Sequence, residues 1–298
     1  MGTPLEGQSM PVSARVESRI SSQLKKYQSI LSSAQQRDVS ENDTVVIIAD
    51  MLSDILGYDK YQHITTEYSI RNTYVDLAVA VDKEIRFLIE AKAIGSELKD
   101  VHVKQAIDYG ANQGIEWIVL SNGAIWRAYK IHFGQPIDKL LVFEIDLLSD
   151  NSKKADLIEC FGCLSREGFS KSTMADLLEQ KQITSKFAIA SVLLGESMLD
   201  ELRLELRRLS PGLKVDTDYL ASILAQEVIK RELVDSDDAK TAAGMVKRLQ
   251  RGLARRRAAS ASESEEDQQS STGASNPSPD RGTTVVPKAG EKPPPVSR

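Results

Sequence analysis

The stretch "YVDLAVAVDKEIRFLIEAKA", Tyr74 to Ala93, decides the fold of this chain. Apolar side chains recur at period two from Tyr74 to Val81 and again from Ile85 to Ala91, the pattern of strands packed on a core, and "DKE" between them carries turn chemistry. An antiparallel hairpin is therefore expected. Away from the turn, charges stand in or just past the apolar runs: Asp76 near the start of the first strand, then Glu90 and Lys92 at the end of the second. Alternation puts Glu90 and Lys92 on one face. Pairing about "DKE" brings Asp76 beside Glu90. Charges at such positions are costly to desolvate unless something there uses them.

Helical periodicity flanks the hairpin on the N-terminal side. Val16, Ile20, Leu24, Tyr27 and Leu31 recur at three- and four-residue steps, which predicts a packing helix that ends before "QQRDVS". "SENDTVVIIADMLSDILGYD" predicts a second helix, with Ser40 as N-cap and Asp43 three positions on. Ile48, Met51, Leu52, Ile55 and Leu56 share its apolar face, and Gly57 stops it. From "ITTEYSI" the period changes to two.

Downstream, "SELKDVHVKQAIDYGANQ" returns to helical spacing, with Leu98, Val101, Gln105 and Tyr109 expected on one side. "IEWIVLSNGAIWRAYKI" is read as a hairpin in which Asn122 and Gly123 supply the positive backbone dihedrals of a two-residue turn. "KLLVFEIDLL" adds a strand. Helices, strands and an intervening helix in this order predict an α/β fold, a mixed sheet flanked by helices.

After about residue 150 the pattern is nearly all helical, and from Ala258 onward Ser, Pro, Gly and charge replace apolar periodicity, the composition of a disordered tail. The expected division is a flexible 1–12, a sheet domain with its N-terminal helix over 13–150, a helical region over 151–257 and a tail over 258–298. The formal net charge of −5 argues against wholesale wrapping of nucleic acid, although a whole-chain sum is silent about one groove. Cys160 and Cys163 in "ECFGCLS" are the only cysteines. No second C-x-x-C exists and His63, His102 and His132 lack ligand spacing, so two small buried thiols are expected rather than a zinc or redox site. Sparse cysteine, no charged-then-apolar leader and no run of eighteen apolar residues point to a cytoplasmic protein without a membrane span.

Cleaving a phosphodiester requires an activated water and a cation to neutralise developing charge. Carboxylates and a backbone carbonyl suit magnesium, a hard ion. Asp76 and Glu90 side by side repel one another, an arrangement that a divalent ion makes favourable. The carbonyl of Ala91 lies between them as a third ligand. Lys92 on the same side would orient or polarise a bound water.

With these residues in place, the span from about Ser40 to Ile131 resembles the N-terminal nuclease domain of type I restriction enzyme R subunits, within the PD-(D/E)xK nuclease superfamily. The matching phrases are "SENDT", "LGYD", "TTEYSI", "VDLAV", "FLIEAK", "QAIDYG" and "VLSNGAIWRAY". The resemblance implies a restriction-endonuclease-like mixed sheet, with Asp76 and Glu90 binding metal (Mg2+ or Mn2+) and Lys92 as the catalytic lysine. It implies that Gln105 and Tyr109 form a Gln-x-x-x-Tyr element supporting catalysis or nucleic-acid binding, and that Glu67 or Glu41 is a further acid near the metal. DNA is the implied substrate, and restriction of foreign DNA the implied setting. Val75 stands where the superfamily has its naming proline. No G-x-x-x-x-G-K-[ST] loop is present, so ATP-driven translocation is not expected of this chain.

Blander readings stand beside these. The three charges would otherwise be a solvated strand edge with a Glu–Lys pair, Gln105 a surface residue and Tyr109 a core tyrosine. Trp117 and Trp126 are expected in the core rather than stacking on bases. "KRLQRGLARRR", Lys247 to Arg257, is either a phosphate-contacting run or a solvated helix end favoured by the helix dipole. The runner-up function is a catalytically weak module that binds nucleic acid or a protein partner through its helical half. RNA or branched DNA is a substrate variant, and self-association as a homodimer is compatible with the fold.

Overall fold

A computed structural model of the chain describes residues 11–70 and 73–270. The hairpin forms as expected. β2 (Thr73–Val81) and β3 (Glu84–Ala91) pair antiparallel through Leu77↔Ile89, Ala78↔Leu88 and Val79↔Phe87. Their turn is Asp82 and Lys83, at φ 54° and 67°. Two successive left-handed residues match the right-handed twist of the strands they join.

β1 (Ile64–Ile70) lies outside β2, and past β3 the chain crosses over through α3 (Asp100–Gln113) to β4 (Trp117–Ser121). β4 runs parallel to β3, a pairing that demands such a crossover. β5 (Ile125–His132) and β6 (Asp138–Asp146) then follow antiparallel. The result is a six-stranded mixed sheet in the order β1-β2-β3-β4-β5-β6.

Helices cover both faces. Phe87, Ile89 and Ala91 of β3 join the larger core, with Ile20, Leu24 and Leu31 of α1 (Ala14–Gln36) and Ile48, Met51 and Leu52 of α2 (Glu41–Asp54). Leu88 faces the other way, into a second core with Val103, Ala106 and Tyr109 of α3. Trp126 is fully buried, edge-on to Phe161 at 5.4 Å, as a core residue should be.

Local signals behave largely as the sequence suggests. Ser40 caps α2 by accepting from the Asp43 N–H, and Gly57 at φ 80° ends the segment after it. α1 runs through Gln36, two residues further than the expected stop. Two expectations are corrected. Val101 is exposed; the buried face of α3 is Val103, Ala106, Tyr109 and Gly110, because Leu98 precedes the helix and does not share its phase. In the β4–β5 turn only Gly123 has positive φ, at 85°, and Asn122 uses its side chain instead.

The core crosses residue 150. α4 (Lys154–Leu164), α5 (Arg166–Ser170) and α6 (Thr173–Ile183) contribute Leu157, Phe161, Leu164, Met174 and Leu177 to the cluster that covers the sheet. Cys160 and Cys163 are free and buried there, and burial pushes their thiols up to about 12 and about 11. α7 (Lys186–Leu193), α8 (Glu196–Leu209), α9 (Thr217–Ile223) with a π-helical turn after it (Leu224–Val228), α10 (Glu232–Asp235) and α11 (Asp237–Ser270) follow. Ala188 and Phe187 of α7 pack on Ala242 and Val246 of α11. α11 continues past Ala258, where the tail is expected to begin: Ala258, Ala259, Ala261 and Glu263 are helix formers, and the first glycine comes at Gly273. The rest of the expected tail, from 271, lies outside the described residues, as do residues 1–10. No described helix is long and apolar enough to cross a membrane.

Candidate active site

The β2–β3 ladder ends at Leu77↔Ile89. One position further, Asp76 replaces a main-chain partner with its side chain, Oδ2 accepting from the Ala91 N–H at 2.7 Å. Two residues earlier, the Tyr74 carbonyl accepts from the Gln105 side-chain amide at 3.0 Å. The start of β2 is thus tied to α3 by a glutamine and to β3 by an acid.

Beside this opening Glu90 is only 6% exposed. Its Oε1 accepts from the Lys92 ammonium at 2.9 Å, and the same ammonium donates to Glu41 Oε1 at 3.2 Å. Glu41 stands on the first turn of α2, placed by the Ser40 cap. Asp76, Glu90 and Lys92 therefore converge, as the hairpin register requires, and an acid from a distant helix joins them. Glu67 lies on β1 between the pairs Thr66↔Leu77 and Tyr68↔Val75, hence opposite Asp76, and has φ 48°. A left-handed non-glycine residue inside a strand costs roughly 1–2 kcal/mol. That strain sits next to the acids.

Burial chiefly raises the Asp76 pKa; the Ala91 N–H and Lys92 oppose the rise, and the charges of Glu41 and Glu67 add to it. Burial also raises Glu90 most, against the Lys92 hydrogen bond, with Asp76 and Glu41 repelling it further. For Lys92, burial works against the ammonium, but Glu90 and Glu41 outweigh it and its pKa rises. Two half-desolvated carboxylates thus share one ammonium that a third acid also claims. Such a site is short of positive charge.

The donor chemistry fits a hard divalent cation. Among the described residues no three His, Cys, Asp or Glu side chains stand close enough together to hold a metal by themselves. Magnesium needs fewer, since it is commonly bound through one or two carboxylates while keeping waters and substrate oxygens. Asp76 and Glu90, with the main-chain oxygen of Ala91, are the residues that would hold it.

Of the remaining expected residues, Gln105 is exposed apart from its bond to Tyr74, and Tyr109 is buried in the second core with its hydroxyl unpartnered. Sequence reasoning missed a clamp. The Lys92 N–H donates to the Ser121 carbonyl at 2.9 Å. The Asn122 amide donates to the carbonyls of Ile94 at 3.3 Å and Ser96 at 3.0 Å, while its Oδ1 accepts from the Ile125 N–H at 2.8 Å. The end of β4 thereby holds both Lys92 and the segment after it. No local spacing signals it, because Asn122 is buried and reaches back 26 and 28 residues.

Comparison with known proteins finds no matching family model, no similar curated protein and no similar solved structure. A functional reading must rest on the site itself.

Proposed function

We propose that this chain is a magnesium- or manganese-dependent deoxyribonuclease of the PD-(D/E)xK kind, in the manner of the restriction nuclease domains its sequence resembles, serving in defence against foreign DNA. The observation that carries this reading is the meeting of Asp76, Glu90 and Lys92 at the parted end of the hairpin, with Glu90 buried and 2.9 Å from the ammonium. A bound divalent ion would supply the charge that neutralises a phosphate oxygen and acidifies a water. Asp76 and Glu90 would hold that ion. Lys92, held by Glu90 and Glu41, is placed to donate toward an attacking water or a phosphate oxygen. Gln105 fixes the backbone at Tyr74 and so the strand that carries Asp76.

The test is incubation of purified protein with plasmid and linear DNA plus magnesium or manganese. Divalent-dependent cutting that disappears in Glu90→Ala is the expected result; DNA left intact at high protein concentration, or cut equally by the variant, overturns it. A second reading, a silent nuclease-fold module that binds nucleic acid or a protein, draws on the absence of a third acid at ligand spacing among the described residues. Calorimetry separates the two, because only a catalytic site should bind a divalent ion through Asp76 and Glu90.

A further inference from the structure

We propose that the solvent face of α11 binds the phosphate backbone of nucleic acid. Residues 239–256 contain Lys240, Lys247, Arg248, Arg251, Arg255 and Arg256 and no acid. At 100° per residue, Lys247, Arg251 and Arg255 form one row with Arg248 beside it, on the side of the helix away from Ala242 and Val246, which pack on α7. The row is about 12 Å long.

Several cations of the helical half have partners: Lys186 pairs with Glu232, Arg203 with Asp200, Arg208 with Glu205 and, at the start of α11, Lys240 with Asp237. Among the described residues no ion pair engages Lys247, Arg248, Arg251, Arg255 or Arg256. Like charges four residues apart destabilise a helix, so the row carries a cost that nothing within the described chain offsets. The dipole does not account for it. α11 continues to Ser270, which places these cations in mid-helix, whereas the dipole acts within the last turn.

The complement of such a row is a polyanion with closely spaced charge. Duplex DNA presents one phosphate per ~1.7 Å of axis, so about seven lie along this length. An anionic lipid surface would call for a broad exposed apolar face on the same helix. Here Ala242 and Val246 are spent on α7, and Leu253 alone among the large apolar side chains of residues 239–256 is exposed. Nucleic acid is the better match, and the proposal holds whether or not the carboxylate site cleaves it.

The experiment is fluorescence anisotropy of the full chain with labelled duplex DNA over a salt series, without divalent ions. The wild type is compared with the triple variant Lys247→Ala, Arg251→Ala, Arg255→Ala and with Arg208→Ala, a paired cation on α8. Alanine favours helix at these exposed positions, and circular dichroism with a melting curve checks the fold; Arg251→Gln, Arg255→Gln is the milder second variant. The triple variant should bind at least about tenfold more weakly, and its log affinity should fall less steeply with log salt, by roughly 0.9 for each cation removed. Arg208→Ala, which removes a cation outside the row, should bind as the wild type does. The proposal is overturned by a triple variant with unchanged affinity and slope, or by a wild type that binds no DNA. It is equally overturned if the substitutions abolish binding to phosphatidylserine–phosphatidylcholine vesicles while DNA affinity stays constant.

Discussion

Two groups of carboxylates in this molecule meet their cations on opposite terms. Where α1, α2 and α5 meet, Glu167 receives two 2.7 Å hydrogen bonds from the Arg19 guanidinium, which also donates to the carbonyls of Ile55 and Leu56. The Arg19 bonds chiefly hold the Glu167 pKa below the ordinary range. At the end of β3, Asp76 and Glu90 are pushed up, burial leading, although the Lys92 ammonium bonds to Glu90 and attracts Asp76. In the first group cation and acid match one to one and the solvent helps; in the second, one lysine serves buried acids that repel each other. An acid matched to its own cation is lowered, whereas a buried acid that has only a share in one is raised.

The largest expected effect tests that distinction directly. Glu90→Gln keeps shape but removes a carboxylate, and divalent-dependent DNA cleavage should fall by at least about 100-fold. Glu167→Gln should leave cleavage per folded molecule within about twofold. Plasmid nicking assays read both. Equal losses in the two variants would erase the contrast between the groups.

Next in size is the structural partner. Arg19→Ala strips Glu167 of its cation and leaves the carbonyls of Ile55 and Leu56 without these donors, so urea denaturation should show a loss of about 2–3 kcal/mol. Cleavage by the folded fraction should persist. A loss below about 0.5 kcal/mol would place this pair with ordinary surface bridges.

How much of this contrast was readable beforehand follows from range. The hairpin, the Ser40 cap and the approach of Asp76 to Glu90 come from period, turn and register within a few residues of each other, and all are in place. What failed was phase or distance. Val101 lies about 150° around α3 from the buried face, because Leu98, which set the expected phase, precedes the helix. The Lys92–Glu41 contact joins residues 51 apart, so that only the family resemblance, not spacing, suggests Glu41 at the site, and the Asn122 amide reaches back 26 and 28 residues. Local spacing has no means of expressing such meetings. The core that unites α4 to α6 with the sheet is of the same kind, as is the extension of α11.

The clamp gives a smaller effect that sharpens the comparison. Asn122→Ala removes donors to Ile94 and Ser96 and an acceptor for Ile125, costing about 1–2 kcal/mol in stability. If the clamp serves the site, calorimetric affinity for magnesium should also drop about tenfold in the folded protein. An unaltered metal isotherm beside lowered stability would make Asn122 a turn residue and nothing more.

The smallest effect carries a sign that separates the two groups. A carboxylate with a raised pKa binds more protons in the native than in the unfolded chain, so its contribution to stability declines as pH climbs through the interval between the unfolded and folded values. Glu167, with a lowered pKa, behaves in the opposite way: its contribution is present above the unfolded value and is lost as pH falls through the folded one. Asp76→Asn keeps an oxygen to accept from the Ala91 N–H but carries no charge for Glu41 and Glu67 to repel. At neutral pH the variant should therefore be more stable than the wild type by about 1 kcal/mol. Below the carboxylate range, where Asp76 is itself neutral, the difference should vanish. Urea midpoints at the two pH values measure it; a variant less stable at neutral pH would mean that the attraction of Lys92 outweighs burial and repulsion, and that these acids belong with Glu167.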